Sequence, residues 1–190
     1  MSIAVYPGSF DPITLGHLNI IRRSAAIFNE VLVCVMVNSD KNPLFTAEER
    51  VELVKRTVAR FPNVMVESSA MLLIDFMKER NSKVIIKGLR AMSDFDREFQ
   101  MALINRKLDE TVETLFMPSS EKYTYLSSTA VREMARYGAD LTDWAPMEII
   151  DDVIERVKRK GGQADEQQNS GIIGNASCDD NGGMGAPIGS

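Results

Sequence analysis

Apolar residues along this chain follow two rhythms. Short, near-continuous β-branched runs recur at Ile3–Tyr6, Val31–Val37, Val64–Glu67, Val84–Lys87 and Thr114–Met117. Runs of this length and type predict strands buried on both faces, as in a parallel sheet. Between them the apolar positions fall at helical spacing. Leu18, Ile21 and Ala25 share one helical face. Val51, Val54 and Val58 share another, in a helix opened by the capping box Thr46-x-x-Glu49. Met71, Ile74 and Phe76–Met77 predict a third helix, and Phe95, Phe99, Ala102 and Leu103 a fourth. Met134 and Tyr137 belong to a helix begun by Ser127-Ser128-Thr129, and Ile149, Ile150, Val153, Ile154 and Val157 to a last one. Most of these apolar positions are expected in the core.

Strands alternating with helices imply right-handed crossovers. The expected fold is α/β, a single doubly wound domain over residues 1–160 with a five-stranded parallel sheet. Ligands of such sheets bind beyond the carboxyl ends of the strands, where strand order reverses. Polar candidates do follow strands: Ser9 to His17 after the first, Lys41 after the second, Lys87 to Arg90 after the fourth, Ser119 to Thr129 after the fifth.

Composition changes this picture only at the end of the chain. Residues 161–190 hold eight of the twelve glycines and four acidic residues, with no Lys or Arg. Such a segment cannot bury enough apolar surface to offset ordering, so a disordered acidic tail is expected. Four of the five excess negative charges belong to it, and the rest is near neutral. No general basic field argues for nucleic acid, and no apolar run approaches the ~20 residues of a membrane span. No basic region precedes an apolar segment at the N-terminus, and two cysteines make no disulfide framework or metal spacing. The expected compartment is the cytoplasm.

The most informative stretch is Gly8-Ser9-Phe10-Asp11-Pro12-Ile13-Thr14-Leu15-Gly16-His17, which contains the chain's one histidine. A strand, a glycine-bearing turn and a helix start form an anion site, because first-turn N–H groups are unpaired and the helix dipole favours negative charge. Gly8 is expected to turn the chain sharply out of the strand, Thr14 to cap the helix, and Gly16 to leave room for a phosphate. A second group is Lys87-Gly88-Leu89-Arg90, two cations flanking a glycine. Asp94 and Asp96 downstream suit a first helical turn by dipole alone, whereas Glu98 could accept bonds from a ribose or amine. A third is Tyr123-Thr124-Tyr125-Leu126-Ser127-Ser128-Thr129, where capping explains one of three hydroxyls and leaves donors over.

Thr14-Leu15-Gly16-His17 and Leu126-Ser127-Ser128-Thr129-Ala130-Val131-Arg132-Glu133 resemble the two signatures of the nucleotidyltransferase superfamily with the (T/H)-x-G-H motif. Within it the chain is most similar to the bacterial phosphopantetheine adenylyltransferase family. Tyr6–Pro12, Pro43–Arg50, Gly88–Ala91, Asp94-Phe95 and Gln100–Arg106 carry that likeness over residues 3 to 159. The resemblance implies AMP transfer from ATP to 4′-phosphopantetheine in coenzyme A biosynthesis. It implies ATP contacts from Ser9, Phe10, His17, Gly88, Leu89, Arg90, Glu98 and Tyr123 to Thr129, which takes in Thr124, Tyr125, Leu126, Ser127 and Ser128. It implies acceptor contacts from Ser9, Lys41, Leu73, Lys87 and Asn105, with His17, Lys41 and Arg90 doing the catalytic work. Mg²⁺ bound with ATP, a homohexamer and feedback by CoA are implied as well. Lys87 stands where this family usually has Arg, and Arg97 where it usually has an aromatic residue. The alternatives are a nicotinate mononucleotide adenylyltransferase, a cytidylyltransferase and a non-catalytic nucleotide sensor on the same fold. The first usually begins with Gly-Gly where this chain has Pro7-Gly8, and a sensor could discard His17, Lys41 or Arg90, all of which are kept.

Overall fold

The computed structural model describes residues 2–38 and 42–160. Lys41 and the expected tail, residues 161–190, lie outside the described residues. Five strands form one sheet: β1 (Ile3–Gly8), β2 (Glu30–Met36), β3 (Val64–Ser69), β4 (Val84–Leu89) and β5 (Glu113–Pro118). All pairings are parallel, in the order β3-β2-β1-β4-β5. The chain winds outward from β1 through β2 to β3, then returns to the other side of β1 with β4. The order therefore reverses between β1 and β4, which is where a doubly wound sheet opens its ligand crevice.

Alternate strand residues serve opposite faces, as period two requires. Ala4, Tyr6, Val31, Val33, Val35 and Ile86 join a large core with α1 (Leu15–Ala25), α2 (Ala47–Val58) and α5 (Ser128–Arg136). Residues 150–160 form α6, which adds Val153 and Val157 to that core. Val5, Leu32, Cys34 and Ile85 form a smaller core with Ile74, Phe76 and Met77 of α3 (Leu73–Glu79). Each buried Val, Leu, Ile, Phe or Met side chain there contributes about 1.5–3 kcal/mol by leaving water.

Three expectations about the helices and the core fail. The fourth helix, α4 (Met92–Leu108), buries one residue, Asn105, while Phe99, Leu103 and Ile104 are exposed. Helical spacing of apolar residues shows that they share a face, not that this chain covers it. Met71 lies before α3 rather than in it, and Tyr137 at the end of α5 is solvent-facing, 77% exposed.

Candidate functional site

Beyond Gly8 the chain runs through Ser9, Phe10 and Asp11 into α1. Phe10 adopts the left-handed conformation, φ 46°, and its buried ring folds back over Gly8. A Cβ on Gly8 would sit 2.9 Å from that ring. Gly8 is thus required for close approach of Phe10, while Phe10 makes the sharp turn expected of the glycine. The Phe10 ring meets Tyr6 and His17 edge-on at 5.4 and 5.2 Å.

Thr14 caps α1 as expected, and His17 completes the cap. The His17 N–H donates to Thr14 Oγ1 at 3.3 Å, and the Thr14 N–H donates to His17 Nδ1 at 3.1 Å. This is a capping box with an imidazole in place of the usual Glu or Gln. Because Nδ1 accepts, the proton resides on Nε2, leaving one ring N–H to offer a ligand. Burial, helped by the charge of Arg90, lowers the His17 pKa from 6.5 to about 4. Near pH 7 the ring is a neutral donor.

His17 lines a cavity of about 560 Å³ with Ser9, Phe10 and Asp11. Asp11 is 5% exposed and holds three segments together. Its carboxylate accepts from the Leu44 N–H at 2.8 Å, the Phe45 N–H at 2.9 Å and Arg132 Nη1 at 2.7 Å. From the other side Arg156 of α6 donates to the Leu44 carbonyl and pairs with Glu49, whose pKa falls to about 2 through that bond.

The three hydroxyls at the start of α5 divide their work. Ser127 caps the helix by accepting from the Ala130 N–H at 3.0 Å, Ser128 Oγ donates to the Pro12 carbonyl at 2.8 Å, and Thr129 Oγ1 accepts from Arg132 at 3.3 Å. All three line the main cavity. The Ser128 hydrogen is spent within the protein. The hydroxyl hydrogens of Ser127 and Thr129, and the helix-start N–H groups of Ser128 and Thr129, stay available to an anion, while the Ala130 N–H serves the cap.

At the end of β4 the two cations take different partners. Lys87 Nζ lies 3.0 Å from Glu98. Arg90 donates to Asp94 through Nε at 2.9 Å and Nη2 at 3.2 Å, and to the Leu126 carbonyl through Nη1 at 2.9 Å. Asp94 therefore does more than complement a helix dipole, because it fixes the Arg90 fork. Gly88 lets β4 press on α1, since a Cβ there would lie 3.1 Å from Ile20.

Residues 5–134 match the model of the cytidylyltransferase-like family. The chain is 54% identical over 160 residues to a phosphopantetheine adenylyltransferase of Clostridium tetani (strain Massachusetts / E88), covering 84% of this chain and 100% of the relative. It is 53% identical to one of Clostridium botulinum (strain Hall / ATCC 3502 / NCTC 13319 / Type A), covering 84% of this chain and 98% of the relative. The chain belongs to the phosphopantetheine adenylyltransferase family. It is accordingly a nucleotidyltransferase. A putative nicotinate-nucleotide adenylyltransferase from Vibrio parahaemolyticus shares the fold at a TM-score of 0.61 and 18% identity, over 82% of this chain and 96% of that one. A Plasmodium falciparum nicotinic acid mononucleotide adenylyltransferase does so at 0.61 and 16%, over 81% and 95%. At such identities the likeness speaks for the fold alone.

Of the site residues expected from the sequence, Ser9, Phe10, His17, Arg90 and Ser127 to Thr129 meet in the main cavity. Gly88 and Leu126 join His17 and Arg90 in a smaller adjoining cleft, and Tyr123 faces Gly16, where an added Cβ would lie 3.6 Å from the Tyr123 Cβ. Tyr123 belongs to a short 3-10 turn, and Thr124 and Tyr125 follow it, exposed. Lys87 and Glu98 face each other outside that lining, Leu73 begins α3, and Asn105 is buried in α4. Leu89 ends β4. Asp11, Arg50 and Arg132 line the cavity with no site role expected of them. Asp11 could have been sought inside the Gly8–His17 stretch and Arg132 inside the Leu126–Glu133 signature, whereas Arg50 ends the Pro43–Arg50 segment with no spacing that singles it out.

Proposed function

We propose that the family's reaction, transfer of AMP from ATP to 4′-phosphopantetheine with release of pyrophosphate, takes place in this cavity, giving 3′-dephospho-CoA for coenzyme A biosynthesis. The observation that carries this reading is His17: a neutral imidazole, locked by Thr14 so that its N–H is on Nε2, at the mouth of a helix beside three guanidinium groups. The acceptor phosphate is already an anion, so no general base and no covalent intermediate are needed. Catalysis then consists of in-line positioning and relief of charge at the α-phosphate. His17 donates to an α-phosphate oxygen, in a bond that strengthens in the transition state. Lys41 and Lys87 hold the incoming phosphate, with Ser9, Leu73 and Asn105 along the acceptor. Arg90, the Ser127 and Thr129 hydroxyls and the α5 N–H groups take the β- and γ-phosphates. Phe10, Gly88, Leu89, Glu98 and the Tyr123–Leu126 segment contact the rest of ATP. Lys87 must leave Glu98, or share it, to meet a phosphate.

Mg²⁺ bound with ATP would supply charge neutralisation at the triphosphate. Asp11, the carboxylate among the described lining residues of the main cavity, already accepts three protein donors, which suits a metal carried by substrate rather than by side chains. No described helix is long and apolar enough to cross a membrane, and the reaction's soluble substrates fit the cytoplasm. The exposed Phe99, Met101, Leu103 and Ile104 of α4 suit burial against further copies of this chain in a homohexamer. CoA, which contains both the adenylyl and the pantetheine phosphate groups, is the expected feedback inhibitor. The test is pyrophosphate release on mixing the protein with ATP, Mg²⁺ and 4′-phosphopantetheine. Release with nicotinate mononucleotide instead, or nucleotide binding without release, would overturn the assignment.

A further inference from the structure

Three guanidinium groups line the main cavity, and two are neutralised there. Arg90 is paired with Asp94 and Arg132 with Asp11. Among the described residues Arg50 is the lining guanidinium in no ion pair, and it is the most deeply set. Arg50 is 4% exposed, whereas the Arg132 and Arg90 side chains are 28% and 38% exposed. Its hydrogen-bond partners among the described residues are neutral carbonyls. Nε donates to the Thr46 carbonyl at 3.3 Å, and Nη1 donates to the Ser9 carbonyl at 2.8 Å and the Met36 carbonyl at 3.3 Å. Glu48, exposed on the first turn of α2, feels the charge without pairing to it. The Nη2 edge, with two more N–H groups, has no protein partner among the described residues.

A guanidinium ringed by carbonyl oxygens keeps its full positive charge. Held away from water, that charge is costly until an anion meets it. The planar fork suits phosphate oxygens, and three carbonyl bonds have already fixed its orientation, so little side-chain freedom is lost on binding. The anchors tie the fork to the loop after β1, the end of β2 and the start of α2, all at the carboxyl side of the sheet where substrates are expected. We propose that Arg50 is a phosphate-binding residue of this site, with its Nη2 edge holding an oxygen of a bound substrate. The inference rests on the adenylyl-transfer reading. The oxygen comes either from the β- and γ-phosphates of ATP, which leave as pyrophosphate, or from the acceptor phosphate.

The test uses the full chain with Arg50→Gln and Arg50→Lys. It measures KM for ATP, for 4′-phosphopantetheine and, in the reverse direction, for pyrophosphate, together with melting temperature. Loss of a hydrogen bond to a charged group predicts a KM rise of about tenfold or more in Arg50→Gln, and a smaller rise in Arg50→Lys, which keeps the charge. KM values for ATP and pyrophosphate rise together if the β- and γ-phosphates are held, and KM for 4′-phosphopantetheine rises alone if the acceptor is. Should Arg50→Gln fail to fold, Arg50→Lys decides by the same criterion. Lower melting temperature with every KM within about twofold of wild type would reduce Arg50 to a backbone clip and overturn the proposal. Wild-type protein that releases no pyrophosphate from ATP and 4′-phosphopantetheine would remove the adenylyl-transfer reading itself, a distinguishable failure.

Discussion

The two faces of the sheet are finished differently. On one, Tyr6, Val33, Val35 and Ile86 are sealed beneath α1, α2, α5 and α6. On the other, Val5, Leu32 and Ile85 lie beneath α3, and α4 beside it buries one residue of 17. Site residues inherit this contrast. His17 and Asp11, on the sealed side, are fixed by bonds that water does not reach freely. Lys87 and Arg90, at the end of β4, are held by Glu98 and Asp94 of α4 through ion pairs partly open to solvent. Pairs of that kind contribute about 0–1 kcal/mol. The neutral donor is thus positioned by the core itself, while the cations depend on a helix whose outer apolar face the described residues leave uncovered.

The contrast breaks most severely at His17. His17→Ala removes a transition-state donor and is expected to lower kcat by about 100- to 1,000-fold with little change in KM for ATP, read by pyrophosphate release. Asp11→Ala comes next. It strips three buried donors of their acceptor and is expected to cost about 3 kcal/mol in urea denaturation, whereas Asp94→Ala costs about 1 kcal/mol or less. Equal losses would erase the distinction between the faces. Asp94→Asn is expected to raise KM for ATP by about fivefold or less, because the Arg90 fork loosens while the fold stands. Smallest is Ile104→Asp on the outer face of α4. It should leave protomer stability within about 0.5 kcal/mol but shift sedimentation toward smaller species.

Acid should act on the sealed side first. The folded pKa of His17 lies below its ordinary value, so the unfolded chain takes the proton more readily. Stability on this account is complete above pH 6.5 and falls as pH drops toward about 4. Glu49, depressed to about 2, adds a further loss as pH falls below 4.5. A denaturation series from pH 8 to roughly pH 3 checks both steps.

What the chain declares locally was readable from its letters. Five β-branched runs became five strands, and Thr14 and Thr46 became caps, because each depends on neighbours within a few residues. What depends on distant contacts was not. Arg132 meets Asp11 across 121 positions and Arg50 meets the Ser9 carbonyl across 41, so no spacing rule announces either. Asp94 read as a dipole partner because its position explains a carboxylate without reference to Arg90. The apolar face of α4 read as core because periodicity cannot say which molecule covers it. The His17 ring completing its own cap was also hidden, since capping boxes are sought as Glu or Gln.

The central claim is that the imidazole is neutral, held by Thr14, and offers the N–H of Nε2 to the reacting phosphate. The chain's one histidine makes it directly measurable by ¹⁵N and ¹H NMR titration of the free protein. The account predicts the Nε2–H tautomer at pH 7 and a titration midpoint near 4. A midpoint near 6.5, with the proton shared between the two ring nitrogens, would contradict it.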